Sequence, residues 1–165
     1  MSPITFRDDR TVQEIVIKAP AERVFAALTR PEELLKWWAA EGKFRVVNAE
    51  CNPQPGGKWL MRVAGCGSEE NQASTVHGEY RTVDPPRLLT YTWIRENEEY
   101  PETLVRWDLE ERDGSTTVRV THSGLITESL RTRNNGWPLI TTLLKSYVEC
   151  PAEREASMGA PQIGL

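Results

Sequence analysis

The stretch TESLRTRNNGWPLITTLLKSYVE, residues 127–149, decides the fold. Its apolar residues return at helical spacing, with Trp137, Ile140, Leu144 and Tyr147 or Val148 on one stripe, which predicts the longest helix of the chain over about 127–149. Gly136-Trp137-Pro138 falls within it and predicts a start or a kink at that point. A helix with a single apolar stripe needs a surface to lie on. An antiparallel sheet with a single apolar face needs a cover, and this segment is the only one long enough to provide it.

Working upstream from this helix, the hydrophobic period falls from 3.6 to two. Four strand-like runs, at 75–83, 87–95, 104–111 and 116–123, are separated by Asp84-Pro85-Pro86, by the polar residues 96–102 and by Arg112-Asp113-Gly114. Such short connections suit an antiparallel meander. Before them, 58–63 places Trp59, Met61 and Val63 on one face, and the polar residues 65–74 predict an exposed hairpin loop. The strand beginning at Lys43 puts Phe44, Val46 and Asn48 together and stops at the turn-forming residues 52–57. Further upstream, 11–18 alternates Val12, Glu14 and Val16 with Gln13, Ile15 and Ile17 and predicts a first strand. Between them, Pro20 and Pro31 each fit the first turn of a short helix. The first carries Val24, Phe25 and Leu28 as its stripe, and the second buries Leu34, Leu35, Trp37 and Trp38 before ending at Gly42.

The order is thus one strand, two short helices, about six strands and one long helix. It predicts an α+β domain over residues 1–150, in which a curved antiparallel sheet of about seven strands wraps the C-terminal helix. Residues 151–165 lack apolar periodicity and are expected to form a mobile tail.

Composition narrows the function classes. The chain has 24 acidic and 20 basic residues, a formal charge of -4, so it supplies no positive field for a phosphate backbone, and a nucleic-acid partner is not expected. No apolar run approaches the roughly 20 residues that cross a bilayer, and the N-terminus has no signal-like apolar core, so a cytoplasmic protein with no membrane partner is expected. Cys51, Cys66 and Cys150 are odd in number and widely spaced, which points to free thiols. Two histidines cannot supply a three-histidine metal site, and nucleotide-binding and nucleophile motifs are missing from the sequence, so no metal or cofactor is expected.

Several sequence blocks resemble a known family. Ala19-Pro20-Ala21-Glu22-Arg23-Val24-Phe25, Pro31-Glu32 leading to Trp37-Trp38, Pro55-Gly56-Gly57-Lys58-Trp59, His77-Gly78-Glu79-Tyr80, Val83-Asp84-Pro85-Pro86-Arg87-Leu88, Tyr91-Thr92-Trp93, Val120-Thr121-His122-Ser123-Gly124-Leu125 and Gly136-Trp137 stand in that order. Together they resemble the "activator of Hsp90 ATPase homologue 1-like" family within the START/Bet v 1-like helix-grip superfamily, over about residues 11–149. The resemblance implies a helix-grip fold with a cavity between sheet and helix. It does not fix an activity, because that superfamily includes lipid carriers, receptors, polyketide cyclases and co-chaperone domains.

Six tryptophans accompany three phenylalanines and four tyrosines, and they recur on the apolar faces. Trp37, Trp59, Met61, Tyr80, Tyr91, Trp93, Trp107, His122, Trp137, Ile140 and Leu144 are the candidate lining of a ligand pocket, apolar with a few polar tips. The competing reading is a filled core. A dry void of roughly 300 Å³ at about 24 cal/mol per Å³ costs near 7 kcal/mol, so an open cavity must be wet, occupied or small. His122 shares a face with Val118 and Val120 and is a weak catalytic candidate; the competing reading is a core histidine with satisfied hydrogen bonds. Glu79, Arg106 and Asp108 fall opposite apolar neighbours and are expected on the solvated face. Binding of a small hydrophobic or aromatic molecule is the preferred function, in a monomer or homodimer. The alternatives are a co-chaperone-type domain touching an Hsp90-like ATPase and a cyclase-like enzyme using His122 or Tyr91.

Overall fold

The computed structural model describes residues 5–7, 9–40, 43–65, 73–96, 101–133 and 136–149, and the expected tail at 151–165 and the loop residues 66–72 lie outside them. Seven long strands are present: β2 (Arg10–Ile17), β4 (Phe44–Cys51), β5 (Lys58–Gly65), β6 (Ala73–Asp84), β7 (Leu88–Arg95), β8 (Thr103–Arg112) and β9 (Ser115–Ser123). Two short strands, β1 (Thr5–Arg7) and β3 (Ala39–Ala40), extend the edges. They carry too few residues to show a period, which is why alternation does not predict them. All nine join in one antiparallel sheet in the order β1-β2-β9-β8-β7-β6-β5-β4-β3. The sheet curls into a half-barrel around the C-terminal helix, the helix-grip arrangement.

That helix is not continuous. Residues 127–149 form α3 (Glu128–Arg133) and α4 (Trp137–Glu149), with Gly136 between them. Pro138 stands in the first turn of α4, where no intrahelical N–H is required, so the proline that forbids one long helix permits the start of a second. The 13 residues of α4 make a rod about 20 Å long. Its Trp137, Ile140, Thr141, Leu144, Tyr147 and Val148 are buried toward the sheet.

The concave face follows the two-residue period: Val105, Trp107 and Leu109 on β8, Val118, Val120 and His122 on β9, and Leu89, Tyr91 and Trp93 on β7 are all buried. On β2 the buried side is that of Gln13 and Ile17, leaving Val16 51% exposed. Asn48 does not join Phe44 and Val46. A bulge between Val46 and Asn48 shifts the register, so Asn48 is exposed and Ala49 and Cys51 are the half-buried residues beyond it.

The two short helices, α1 (Ala21–Thr29) and α2 (Pro31–Trp37), close one end. The second stops at Trp37, short of Gly42, because Trp38 leaves the helical region and the chain enters β3. Pro20 offers α1 no side-chain cap, and the Glu111 carboxylate of β8 accepts the Ala21 N–H instead, at 2.8 Å. Glu33 is buried on α2, where its carboxylate accepts from Arg23 of α1 at 2.7 Å and from the Tyr147 hydroxyl of α4 at 2.8 Å. Three helices are thereby tied through one carboxylate.

Candidate functional site

Beneath α4 the aromatic side chains form one continuous cluster. Ring centroids link Trp37 to Trp38 (5.1 Å), Trp38 to Trp93 (6.4 Å), Trp59 to Trp93 (5.4 Å), Trp93 to Trp137 (5.9 Å) and Trp107 to Trp137 (5.6 Å), so all six tryptophans are connected. Most of these contacts are tilted or edge-to-face, the arrangement that ring quadrupoles favour.

Local backbone features seat these rings. Trp59 on β5 stands opposite Gly78 of β6, and its indole N–H donates to the Thr92 carbonyl of β7 at 3.0 Å, one strand further on. A Cβ at position 78 would lie 1.9 Å from that same carbonyl oxygen, so only glycine lets the strands approach closely enough. The ladder is interrupted here, and the Thr92 hydroxyl accepts the Glu79 N–H at 2.8 Å in place of a backbone carbonyl. Trp37 donates to the Ala27 carbonyl and Trp107 to the Tyr91 hydroxyl, each at 2.9 Å.

His122 is fully buried and both its nitrogens are engaged. The Trp137 N–H donates to Nδ1 at 3.2 Å, which assigns the proton to Nε2, and Nε2 in turn donates to the Thr103 hydroxyl at 2.7 Å. The Thr103 hydroxyl in turn donates a hydrogen bond to the Trp93 carbonyl at 3.2 Å. Burial, and then the charge of Arg95, pull the His122 pKa down to about 3. This is a neutral relay that fixes Trp137 in place. With both nitrogens engaged, the arrangement is that of a core histidine with satisfied hydrogen bonds, the competing reading of His122. Burial likewise holds the Tyr91 hydroxyl protonated well above its ordinary range.

A half-enclosed cavity of ≈ 280 Å³ opens between the first turns of α4 and strands β4 to β7. Its deep wall is made of buried residues, Trp38, Met61, Val76, Trp93, Trp137 and Ile140, and its mouth of the more exposed Phe44, Val63, Ser74, Arg95 and Gly136. Of the residues expected to line a pocket, Met61, Trp93, Trp137 and Ile140 do so. Trp59, Tyr80 and Tyr91 face, with Met61, a separate space of ≈ 20 Å³, enough for about one water. Trp37, Trp107, His122 and Leu144 line neither space. They are packed within the core, as their size and hydrogen bonds demand.

Val63 and Val76 were within reach of the alternation argument, being one step from Met61 and Gly78 on the same faces. Arg95 was not, because a search for apolar lining passes over a charge even when it stands two residues from Trp93. Glu79, Arg106 and Asp108 lie away from the cavity and form surface ion pairs. No group of three or more metal-ligating side chains, and no helix long and apolar enough to cross a membrane, occurs among the described residues.

A curled antiparallel sheet gripping a C-terminal helix, with an apolar cavity at the helix start, defines a helix-grip protein. The sequence matches the family model of the activator of Hsp90 ATPase homolog 1-like proteins over residues 18–149, and the chain belongs to that family. Solved structures agree in fold. A protein from Chromobacterium violaceum is 23% identical, with 86% of this chain and 98% of that one covered and a TM-score of 0.74. One from Rhodobacter sphaeroides is 19% identical, with 92% and 97% covered and a TM-score of 0.75. The AHSA1-like protein from Aeromonas hydrophila is 20% identical, with 86% and 94% covered and a TM-score of 0.68. A search of the curated proteins finds no match.

Proposed function

We propose that this protein binds a small hydrophobic or aromatic molecule in the cavity between the sheet and α4. The observation that carries the reading is the ≈ 280 Å³ space walled by Trp38, Trp93 and Trp137 and open at one side. Its volume is close to the lower end of small-molecule pockets, about 300–1,000 Å³, and suits one or two rings. The space is open to solvent and so is wet when empty, and an apolar body that takes the ring faces of its wall out of water gains about 25 cal/mol per Å². A family fold known for internal cavities supports the same reading. The satisfied His122 relay speaks against acid–base chemistry in this pocket.

The test is titration with 2-naphthalenemethanol, a neutral two-ring probe, read by tryptophan fluorescence. Three of the six tryptophans line the cavity, so saturable quenching is expected, with Kd between about 1 µM and 1 mM for a ligand of this size. Emission that changes only linearly with probe concentration would remove the proposal.

A further inference from the structure

We infer that Met61 is a movable partition that sets the length of ligand the pocket takes, and that behind it the pocket ends at the Tyr91 hydroxyl. The ligand class this selects is an elongated aromatic molecule with a hydroxyl or carbonyl oxygen at its leading end. The inference rests on the ligand-binding reading above and adds the length and polarity of the ligand.

Two spaces share two walls. Trp38 and Met61 line both the ≈ 280 Å³ cavity and the ≈ 20 Å³ space behind it. Trp38 is clamped, its ring centroid 5.1 Å from that of Trp37, 6.4 Å from Trp93 and 6.1 Å from Trp137. Met61 is the wall that can give way. It is buried on β5 between Ala49 of β4 and Val76 of β6, and its unbranched side chain turns about three bonds and ends in a thioether that makes little hydrogen-bonding demand. A change of its rotamer joins the two spaces without moving a strand.

The ends of the joined pocket differ in chemistry. The outer part offers the rings of Trp93 and Trp137 and the aliphatic Val63 and Val76. The inner part holds Tyr80, Tyr91 and Cys51. There the Tyr80 hydroxyl is hydrogen-bonded to the Cys51 thiol, and the Tyr91 oxygen accepts the Trp107 N–H at 2.9 Å. A hydroxyl that accepts still has its own proton to give. Burial keeps both phenols protonated, so Tyr91 remains a donor to an oxygen placed beside it. The inner space holds about one water, which is the size of a hydroxyl or carbonyl oxygen and too small for a ring. The rings of the ligand therefore stay against the tryptophans, and its oxygen passes Met61.

The experiment titrates 2-naphthalenemethanol, 4-phenylphenol and 4-methylbiphenyl by calorimetry into the wild type, Met61→Ala, Met61→Ile and Tyr91→Phe. Met61→Ala should raise the affinity for 4-phenylphenol about tenfold relative to naphthalenemethanol, because the longer body gains buried length. Met61→Ile, similar in size but stiff at χ1, should lower the same ratio. Tyr91→Phe should weaken 4-phenylphenol about tenfold relative to its methyl isostere, as expected when a buried hydroxyl keeps no partner. A length ratio that stays within about twofold of the wild type in both folded Met61 variants overturns the partition. An unmoved hydroxyl-to-methyl ratio in folded Tyr91→Phe overturns the polar end; since that variant also takes the acceptor from Trp107, the Met61 ratios decide the inference if it does not fold. In each of these cases naphthalenemethanol binding leaves the pocket reading standing. Failure of all three probes to bind the wild type overturns both.

Discussion

Substituting Val63→Phe asks whether the space under α4 is a true void, because the two answers differ in sign. Val63 is half-buried at the cavity mouth on β5, opposite Val46 of β4 and Ser74 of β6, and its side chain lines the open part of the ≈ 280 Å³. A phenyl group lying on the cavity wall takes roughly 50 Å² more apolar surface out of water than isopropyl, so at about 25 cal/mol per Å² the filling is worth about 1.2 kcal/mol. For a chain of this length about 1 kcal/mol corresponds to about 2–4 °C, so Tm should rise by about 2–5 °C. Phenylalanine is also a good strand residue, so the backbone does not oppose the change. In a filled core the same substitution overpacks and costs about 1–3 kcal/mol. The assays are calorimetric melting and the naphthalenemethanol titration, in which the ring should occupy the probe's place and weaken binding at least tenfold. A lower Tm with unchanged probe affinity would refute the argument for the cavity.

Three further outcomes follow from the packing. His122 has a folded pKa of about 3 against 6.5 for the unfolded group, so below pH 6.5 the unfolded chain takes up a proton that the folded one refuses. Its contribution is intact above 6.5 and is lost as pH falls toward 3; urea unfolding should lose about 2 kcal/mol between pH 7 and pH 5, and a folded His122→Gln variant that kept the full loss would assign it elsewhere. Gly78→Ala places a Cβ 1.9 Å from the Thr92 carbonyl that accepts from Trp59, so it should cost about 3 kcal/mol in chemical denaturation and alter near-UV circular dichroism; a neutral effect would contradict the close approach of β6 to β7. Tyr147→Phe removes the hydroxyl donor to the buried Glu33 carboxylate and should cost about 1.5–3 kcal/mol, with hydrogen exchange rising in α2 and α4 together; a loss confined to one helix would argue against a shared tie.

How much was legible in the sequence depends on whether a feature is local. Strands β5 to β9 carry their inward residues at every second position, and a one-residue slip would expose all of them, so alternation predicts these strands closely. The bulge after Val46 is a property of the pairing between β4 and β5 and leaves no mark on β4 alone. The break between α3 and α4 was marked by Gly136 and Pro138, and the apolar stripe of Trp137, Ile140, Leu144 and Val148 lies wholly on α4, whereas α3 carries Leu130 as its one apolar residue. Edge strands β1 and β3 are too short for any period. The Glu33 tie joins residues 10 and 114 positions apart, a relation that only the fold creates.

The site was harder to read than the fold for a related reason. Choosing the largest aromatic residues selects the side chains that fill space, and filled space is not where a ligand goes. Trp37, Trp59 and Trp107 reach carbonyl or hydroxyl acceptors and close upon their neighbours. The cavity lies instead where the facing strand residues become short, at Val63, Ser74 and Val76, just as α4 begins and Gly136 contributes no side chain. Tryptophan thus plays two parts in this chain. Inside the cluster it is packing, and at the edge, in Trp38, Trp93 and Trp137, it is the wall left standing where packing stops.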